Sequence, residues 1–599
     1  ATLTGTAFQG VWSLNAAYGN YLMPDTDPST TFQLNALGMS QDSILFSFMT
    51  NDPSGVCEAG NDTLTVYIQQ VGIGKLYVDS SATGANNGSS WADAFTSLQD
   101  ALMICGVDTI CVAQGTYYPD QGEGVMDDDR TASFVIGDSV VIFGGFPSGG
   151  GPDSLRDWLC NKTILSGDIN QDGDTTGNSY HVVETMHVSD GTEVDGFYIT
   201  GGNANHPSLA NYRNGGAWYN DGSRSLNGSN PKISNVNFSG NYSSISGTFY
   251  NNALAGKATT VFSNVIFSGN EVGLNGAAIY NFALSQGEIN LTFTNGLVTG
   301  NYAGSNAGAI YNDGEDGVVT TLIINTTFSG NKAEGNGSII FSDADDSGVS
   351  TTTIVNSIVY GNESGDNKII SENFGSTSNI AYSILQLAVY DANSDISSPT
   401  NKPLGTDPLF VNSVLSSAAP TTAGDFHILP GSTALDMGDN MANPLISDLD
   451  GLVRISNGRI DLGPYEFPLN CDTILLFVDE DGNVPLIPVT DLISQGLDSD
   501  YELYLDGVLI TEPGLQLTCE DGLNPDKELV LIKTSCGAAD TLYACNKVII
   551  LRDTFPKELS AINQVNLSLD ANCMAVVSPD MVLPASSGCS YGLLVELTY

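Results

Sequence analysis

The strongest constraint on this chain is an internal repeat. Phe238-Ser-Gly-Asn241 returns as Phe267-Ser-Gly-Asn270, Val298-Thr-Gly-Asn301, Phe328-Ser-Gly-Asn331 and Val359-Tyr-Gly-Asn362, with the asparagines 29, 31, 30 and 31 residues apart. A second series, Tyr219-Asn220, Tyr250-Asn251, Tyr280-Asn281, Tyr311-Asn312 and Phe341-Ser342, is spaced by 31, 30, 31 and 30 residues. Two series in one register identify a single structural unit repeated along the chain.

Each unit contains short strand-like runs, such as Thr320-Thr-Leu-Ile-Ile324 and Gly308-Ala-Ile-Tyr311, separated by Gly, Asn and Asp where turns need positive φ. No ten-residue amphipathic helix separates them, which excludes βαβ units and predicts a solenoid. The expected fold is all-β: a right-handed parallel β-helix of about 30 residues per coil. A rise of about 4.8 Å per coil sets equivalent residues above one another, so the repeated Phe and Tyr are expected as inward aromatic stacks and the repeated Asn as amide ladders. An open solenoid end needs covering. Ser90-Trp91-Ala92-Asp93 reads as a capping box, with Trp91, Phe95, Leu98 and Leu102 at helical spacing, predicting a short N-terminal capping helix.

The chain has 599 residues, so several domains are expected. The 68 Asp and Glu against 18 Lys and Arg give a formal charge of −50. Nucleic acid is excluded as a partner for lack of clustered cations, and contact with anionic membranes or acidic glycans would require a bridging divalent cation. No window of about 18 apolar residues is present, so no helical membrane insertion is expected. Ten cysteines without C-x-x-C pairs or histidine partners suit structural disulfides in an oxidising, extracellular setting, with Cys105–Cys111 and Cys573–Cys589 as the pairs suggested by proximity. Residues 1–10 lack signal-peptide character, and the chain stops at Tyr599 within an apolar strand pattern, so a piece of a longer protein is expected.

The flanks carry a different repeat. Ile474-Leu-Leu-Phe-Val-Asp479 followed by Leu492 resembles Val565-Asn-Leu-Ser-Leu-Asp570 followed by Leu583, displaced by 91 residues, and Cys57-Glu-Ala-Gly-Asn-Asp-Thr-Leu64 echoes Cys536-Gly-Ala-Ala-Asp-Thr-Leu542. Alternating, Cys-containing units of that length predict tandem immunoglobulin-like β-sandwiches. The expected organisation is 1–73, the end of one sandwich; 74–467, the β-helix with its cap and a distinct segment over about 401–467; 468–560, an Ig-like sandwich; and 561–599, the start of a further module.

Two stretches carry a family resemblance. Leu76-Tyr-Val-Asp79, Gly88-Ser-Ser-Trp-Ala-Asp93 and Ile110-Cys-Val-Ala-Gln-Gly-Thr-Tyr117 resemble the opening of pectin-lyase-like right-handed β-helix proteins. Asp407-Pro-Leu-Phe410, Gly424-Asp-Phe-His-Ile-Leu-Pro-Gly431, Ala434-Leu-Asp436 and Asp448-Leu-Asp-Gly451 to Gly458-Arg-Ile-Asp-Leu-Gly-Pro-Tyr-Glu466 resemble the choice-of-anchor Q pattern of large surface proteins of Bacteroidota, with Thr433 and Pro464 replacing the usual Pro and Ala. The resemblance implies type 9 export and a role in adhesion or a surface structure. It implies no catalytic residue.

Candidate chemistry follows from residue types. A lyase needs a basic residue with a cation, yet between 240 and 370 the basic residues are Lys257, Lys332 and Lys368 alone. A glycosidase needs two carboxylates about 5 to 9.5 Å apart. The column Asp221, Asn252, Phe282, Asp313, Asp343 makes Asp313 and Asp343 the best pair, with solvated turn residues as the competing account. His206, Tyr212, Arg213, Trp218 and Arg224 cluster in one loop as a candidate glycan or partner contact, against an ordered insertion packed on the solenoid. Asp168, Asn170, Asp172 and Asp174 match the first half of a Ca²⁺ loop, although position twelve is Ser179 rather than Glu; Asp479-Glu-Asp481-Gly-Asn483 reads equally as a hairpin turn.

The leading expectation is a noncatalytic structural or adhesive segment of a large bacterial surface or filament protein. Its expected partners are neighbouring modules of the same chain, further copies in a fibre, and glycans or another cell surface. The alternatives are a secreted polysaccharide lyase or glycoside hydrolase acting in the β-helix groove, and a glycan-binding module without turnover.

Overall fold

The computed structural model describes residues 74–345, 347–479, 483–494, 501–511, 513–518, 525–533 and 540–553, with strands Gly10–Ser13, Gly19–Tyr21, Phe32–Leu34, Ser43–Thr50 and Asn61–Tyr67 before them. The pairing of Cys573 with Cys589, the repeat at 565–583, the module start at 561–599 and the Cys57 echo lie outside the described residues.

Residues 74–395 wind as a parallel β-helix with three sheets of sixteen, eight and six strands. One coil runs Lys257–Ser268, Glu271–Val272 and Ile279–Phe282 before Glu288–Thr299 begins the next. Every neighbour is parallel and in the register that the repeats define: Phe238 over Phe267, Tyr250 over Tyr280, Asn281 over Asn312.

The interior holds what a narrow parallel tube must bury. Phe238 and Phe267 stack at 4.5 Å, with Phe249 and Phe262 set edge-on beside them. Two buried asparagine ladders run along the axis. Asn241, Asn270, Asn301, Asn331 and Asn362 pass an amide N–H to the next carbonyl at 2.9–3.1 Å, and Asn220, Asn251, Asn281 and Asn312 do the same at 2.8–2.9 Å. Each link satisfies amide groups that would cost about 1–3 kcal/mol if left buried and unpaired. A third column, Asn235, Asn264, Asn295, Asn325 and Asn356, sits at positive φ where the longest sheet bends, a conformation Asn tolerates better than other side-chain-bearing residues.

The tyrosine series does not follow the expectation. Phe249 and Asn251 belong to the interior, so strand alternation turns Tyr250 to the outer face, and Tyr219, Tyr280 and Tyr311 go with it. The predicted inward Tyr stack is therefore an external one.

The cap also starts later than expected. Ser90 and Asp93 do exchange hydrogen bonds, but residues 91–93 form a turn and α1 spans Leu98–Leu102, capped by Ser97. Phe95 is the reason: its amide donates to Tyr77 O and its carbonyl accepts from Asp79, so the sheet holds it extended. Leu98 and Ala101 then close the first coils. Cys105 and Cys111 are both free, against the expected pairing, because Cys111 lies inside the strand Val107–Ala113 and is buried while Cys105 stays exposed before it.

After the solenoid, the chain turns back along its side. Asn356 donates to Asp439 O and accepts from its amide, Asn325 donates to Asn443, and Asn295 donates to Ser447 O. Leu297, Ile358 and Ile384 share a core with Phe410, Phe426 and Leu462. A five-stranded sheet follows, in the order Ile474–Val478, Asp540–Asp553, Asp526–Lys533, Tyr501–Leu505, Val508–Ile510. Cys471 and Cys545 form a disulfide across it.

Candidate functional site

The outer face of the eight-stranded sheet carries the most chemistry, because in-register coils turn single residues into columns. The rings of Tyr219, Tyr250, Tyr280 and Tyr311 stack at 5.3, 5.5 and 4.7 Å, and Phe341 ends the series at 5.0 Å. That spacing is the strand spacing itself. Each ring face is covered by its neighbour, leaving edges and hydroxyls. At the N-terminal end the row continues through His181, 5.2 Å from Tyr219, to Tyr212 and Tyr180, and the Arg130 guanidinium lies 4.2 Å from the Tyr180 ring centre. Burial pushes His181 down to about 4, so the imidazole is neutral in this stack.

Two residues along each strand lies the acidic column. Asp313 and Asp343 are register partners on adjacent coils, as the repeat predicts. Tyr280 donates its hydroxyl to Asp313 at 2.6 Å, and Asn252 donates to the Tyr219 hydroxyl at 3.2 Å. Asn373 donates to Asp343 at 3.1 Å. Burial, then the charges of Glu315 and Asp343, push Asp313 up to about 6 against the opposing Tyr280 hydrogen bond. A carboxyl in that range can hold a proton for general acid work, and Asp343 is its register partner on the next coil.

The three basic residues between 240 and 370 each have an acidic partner. Lys257 pairs with Glu288 at 2.7 Å, Lys332 with Glu334 at 2.8 Å and Lys368 with Asp391 at 2.6 Å. None of the three faces an uncompensated site.

The loop candidates separate. His206 and Tyr212 meet at 6.0 Å beside Tyr180, and both are half-buried. Arg213 donates to Ser244 instead. Arg224 is exposed in a separate turn. Trp218 is a correction: it is 0% exposed, packed on Phe249 and donating to Thr185 Oγ1 at 2.8 Å, so it has no surface to offer a ligand. Arg130, Tyr180 and His181 were not legible as part of this patch, since they come from earlier coils and share no sequence motif with 203–224.

The Asp168–Asp174 loop bonds several of its oxygens to its own amides, while Asp168 Oδ1 is buried and accepts no hydrogen bond. Asp168 accepts from the Gly173 amide, Asp172 from Asp174 N and from Asn170, and Asp174 from Thr176 N. Its carboxylates do not converge on one point: among the described residues, the group of three that does is Asp120, Asp127 and Asp128. Asp479 accepts from both the backbone and side-chain nitrogens of Asn483, the pattern of a turn.

The residues that carry the 424–466 resemblance act as backbone clamps. Asp448 accepts from the amides of Asp450, Leu452 and Glu466, and Asp461 from those of Asp436 and Phe467. Arg454 and Glu466 form a fully buried ion pair at 3.0 Å. His427 bridges Asp425 and Asp450 through its two ring nitrogens.

No protein-family model matches this chain, and no curated protein matches it. Among solved structures it is similar to the crystal structure of pectate lyase Pel9A, with a TM-score of 0.36 and 17% identity, over 66% of this chain and 96% of that chain.

Proposed function

We propose that this chain is a noncatalytic structural or adhesive segment of a large, exported bacterial surface or filament protein, with the β-helix as a stiff rod. The observation that carries this reading is the side-chain ladder on the outer face: tyrosine rings that cover one another are fit for axial rigidity and unfit for stacking on sugars. Segment 401–467, read as a choice-of-anchor Q-like element, braces the rod from the side, and the flanking sheets serve as Ig-like spacer modules. A charge of −50 keeps long extracellular chains apart and soluble. Immunogold electron microscopy with antibody against residues 75–467 tests the reading: label along cell-surface projections is expected, and label found only in the medium overturns it.

A second reading is favoured by Asp313, raised by burial, and its coil-adjacent partner Asp343: a secreted glycoside hydrolase. Glycan turnover that disappears on Asp313→Asn with Asp343→Asn would establish it. A glycan-binding module without turnover is the third, centred on His206 and Tyr212 rather than Trp218.

A further inference from the structure

The loop that follows Tyr117 folds back against the capping helix. Ser97 Oγ donates to Gln121 O at 2.5 Å, Gln99 Nε2 donates to Pro119 O, and the Glu123 amide donates to Asp100 at 2.7 Å. Within this loop Asp120, Asp127 and Asp128 each place a carboxylate oxygen within 4.8 Å of the others. Three oxygens around one Ca²⁺, each at about 2.3–2.6 Å, stand about that far apart.

An acidic cluster alone means little in so acidic a chain, but Asp120 adds a separate observation. Its side chain is enclosed, with the residue only 4% exposed; Oδ2 accepts from the Asp128 amide at 3.1 Å, while Oδ1 is buried and accepts no hydrogen bond. A buried carboxylate with one unbonded oxygen, grouped with two further carboxylates, needs a proton or a cation. Arg130, the basic residue nearest in sequence, is directed elsewhere: it donates to Asn178 O, Asn203 O and Asn205.

We infer that Asp120, Asp127 and Asp128 bind one Ca²⁺ that ties the 118–129 loop to the capping helix. Asp120 is the enclosed ligand and the exposed Asp127 and Asp128 close over the ion from the solvent side, water filling the remaining positions. This site is distinct from the Asp168–Asp174 loop, whose carboxylates do not join the converging group.

The test is calorimetric titration of CaCl₂ into the full chain at about 0.15 M NaCl, where weak surface association is screened, with Tb³⁺ luminescence sensitised through Tyr118 as a second probe. One saturable site is expected, weakened about tenfold or more in Asp127→Asn, which sits on the surface and leaves folding intact, and lost in Asp120→Asn. Asp172→Asn should leave it unchanged. Equal Ca²⁺ stoichiometry and affinity in wild type and Asp127→Asn, or loss of the site in Asp172→Asn instead, overturns the inference.

Discussion

Tyr280 gives its hydroxyl hydrogen to Asp313 one coil ahead, at 2.6 Å, and so ties the aromatic ladder to the acidic column on the outer face of the rod. This contact does not compensate for the burial of the carboxylate, which titrates near 6 rather than at its ordinary 3.8.

The sign of the resulting pH effect is definite. A carboxyl raised in the folded state stabilises fully below its unfolded value, and that contribution is lost as pH rises through about 6. Asp313→Asn keeps an acceptor for Tyr280 and removes the buried charge. The variant should be more stable than wild type at pH 7.5 by about 2 kcal/mol and equal to it near pH 4, read as thermal melts at the two pH values. A lower melting temperature at pH 7.5 would show that the ionised carboxylate stabilises the ladder.

Asn301 tests the interior ladder. It donates to Phe267 O and Asn331, and accepts from the backbone and side chain of Asn270. Asn301→Ala should cost about 3–5 kcal/mol in urea unfolding, since several enclosed groups lose their partners together. Asn362→Ala, nearer the end of the ladder, should cost less.

Trp218→Ala separates core from surface. Removal of a fully enclosed indole should destabilise the solenoid by about 3–5 kcal/mol. Tyr212→Ala should change stability by less than about 1 kcal/mol and is the variant whose glycan-array signal is informative. Weakened glycan binding by a folded Trp218→Ala, with Tyr212→Ala binding normally, would contradict this assignment.

His427 governs the brace. Burial lowers its basicity, but Asp450 and Asp425 reverse this and push it up to about 10. Because the folded value exceeds the ordinary 6.5, the stabilisation is complete below that pH and fades as pH climbs to about 10. His427→Gln should cost about 3 kcal/mol at pH 6 and markedly less near pH 10, followed by near-ultraviolet circular dichroism of Tyr465 and Tyr543, whose rings pack on the imidazole.

The amino-acid sequence by itself determined the period, the parallel register and the asparagine ladders, because a repeat of about 30 residues stacks like on like once the chain coils. It also put Asp313 beside Asp343, for the same reason. What it left open was every choice that depends on a neighbour distant in the chain. The face taken by Tyr250 depends on Phe249 and Asn251 being claimed by the interior, and Trp218 is interior because Phe238 and Phe249 surround it. Helix α1 begins at Leu98 because Tyr77 and Asp79 hold Phe95 in a sheet. Cys471 finds Cys545 at a separation of 74 residues. Local propensity and spacing report the period of a chain, whereas burial, pairing and charge compensation are set by which surfaces meet, and that is fixed only when the coils close on one another.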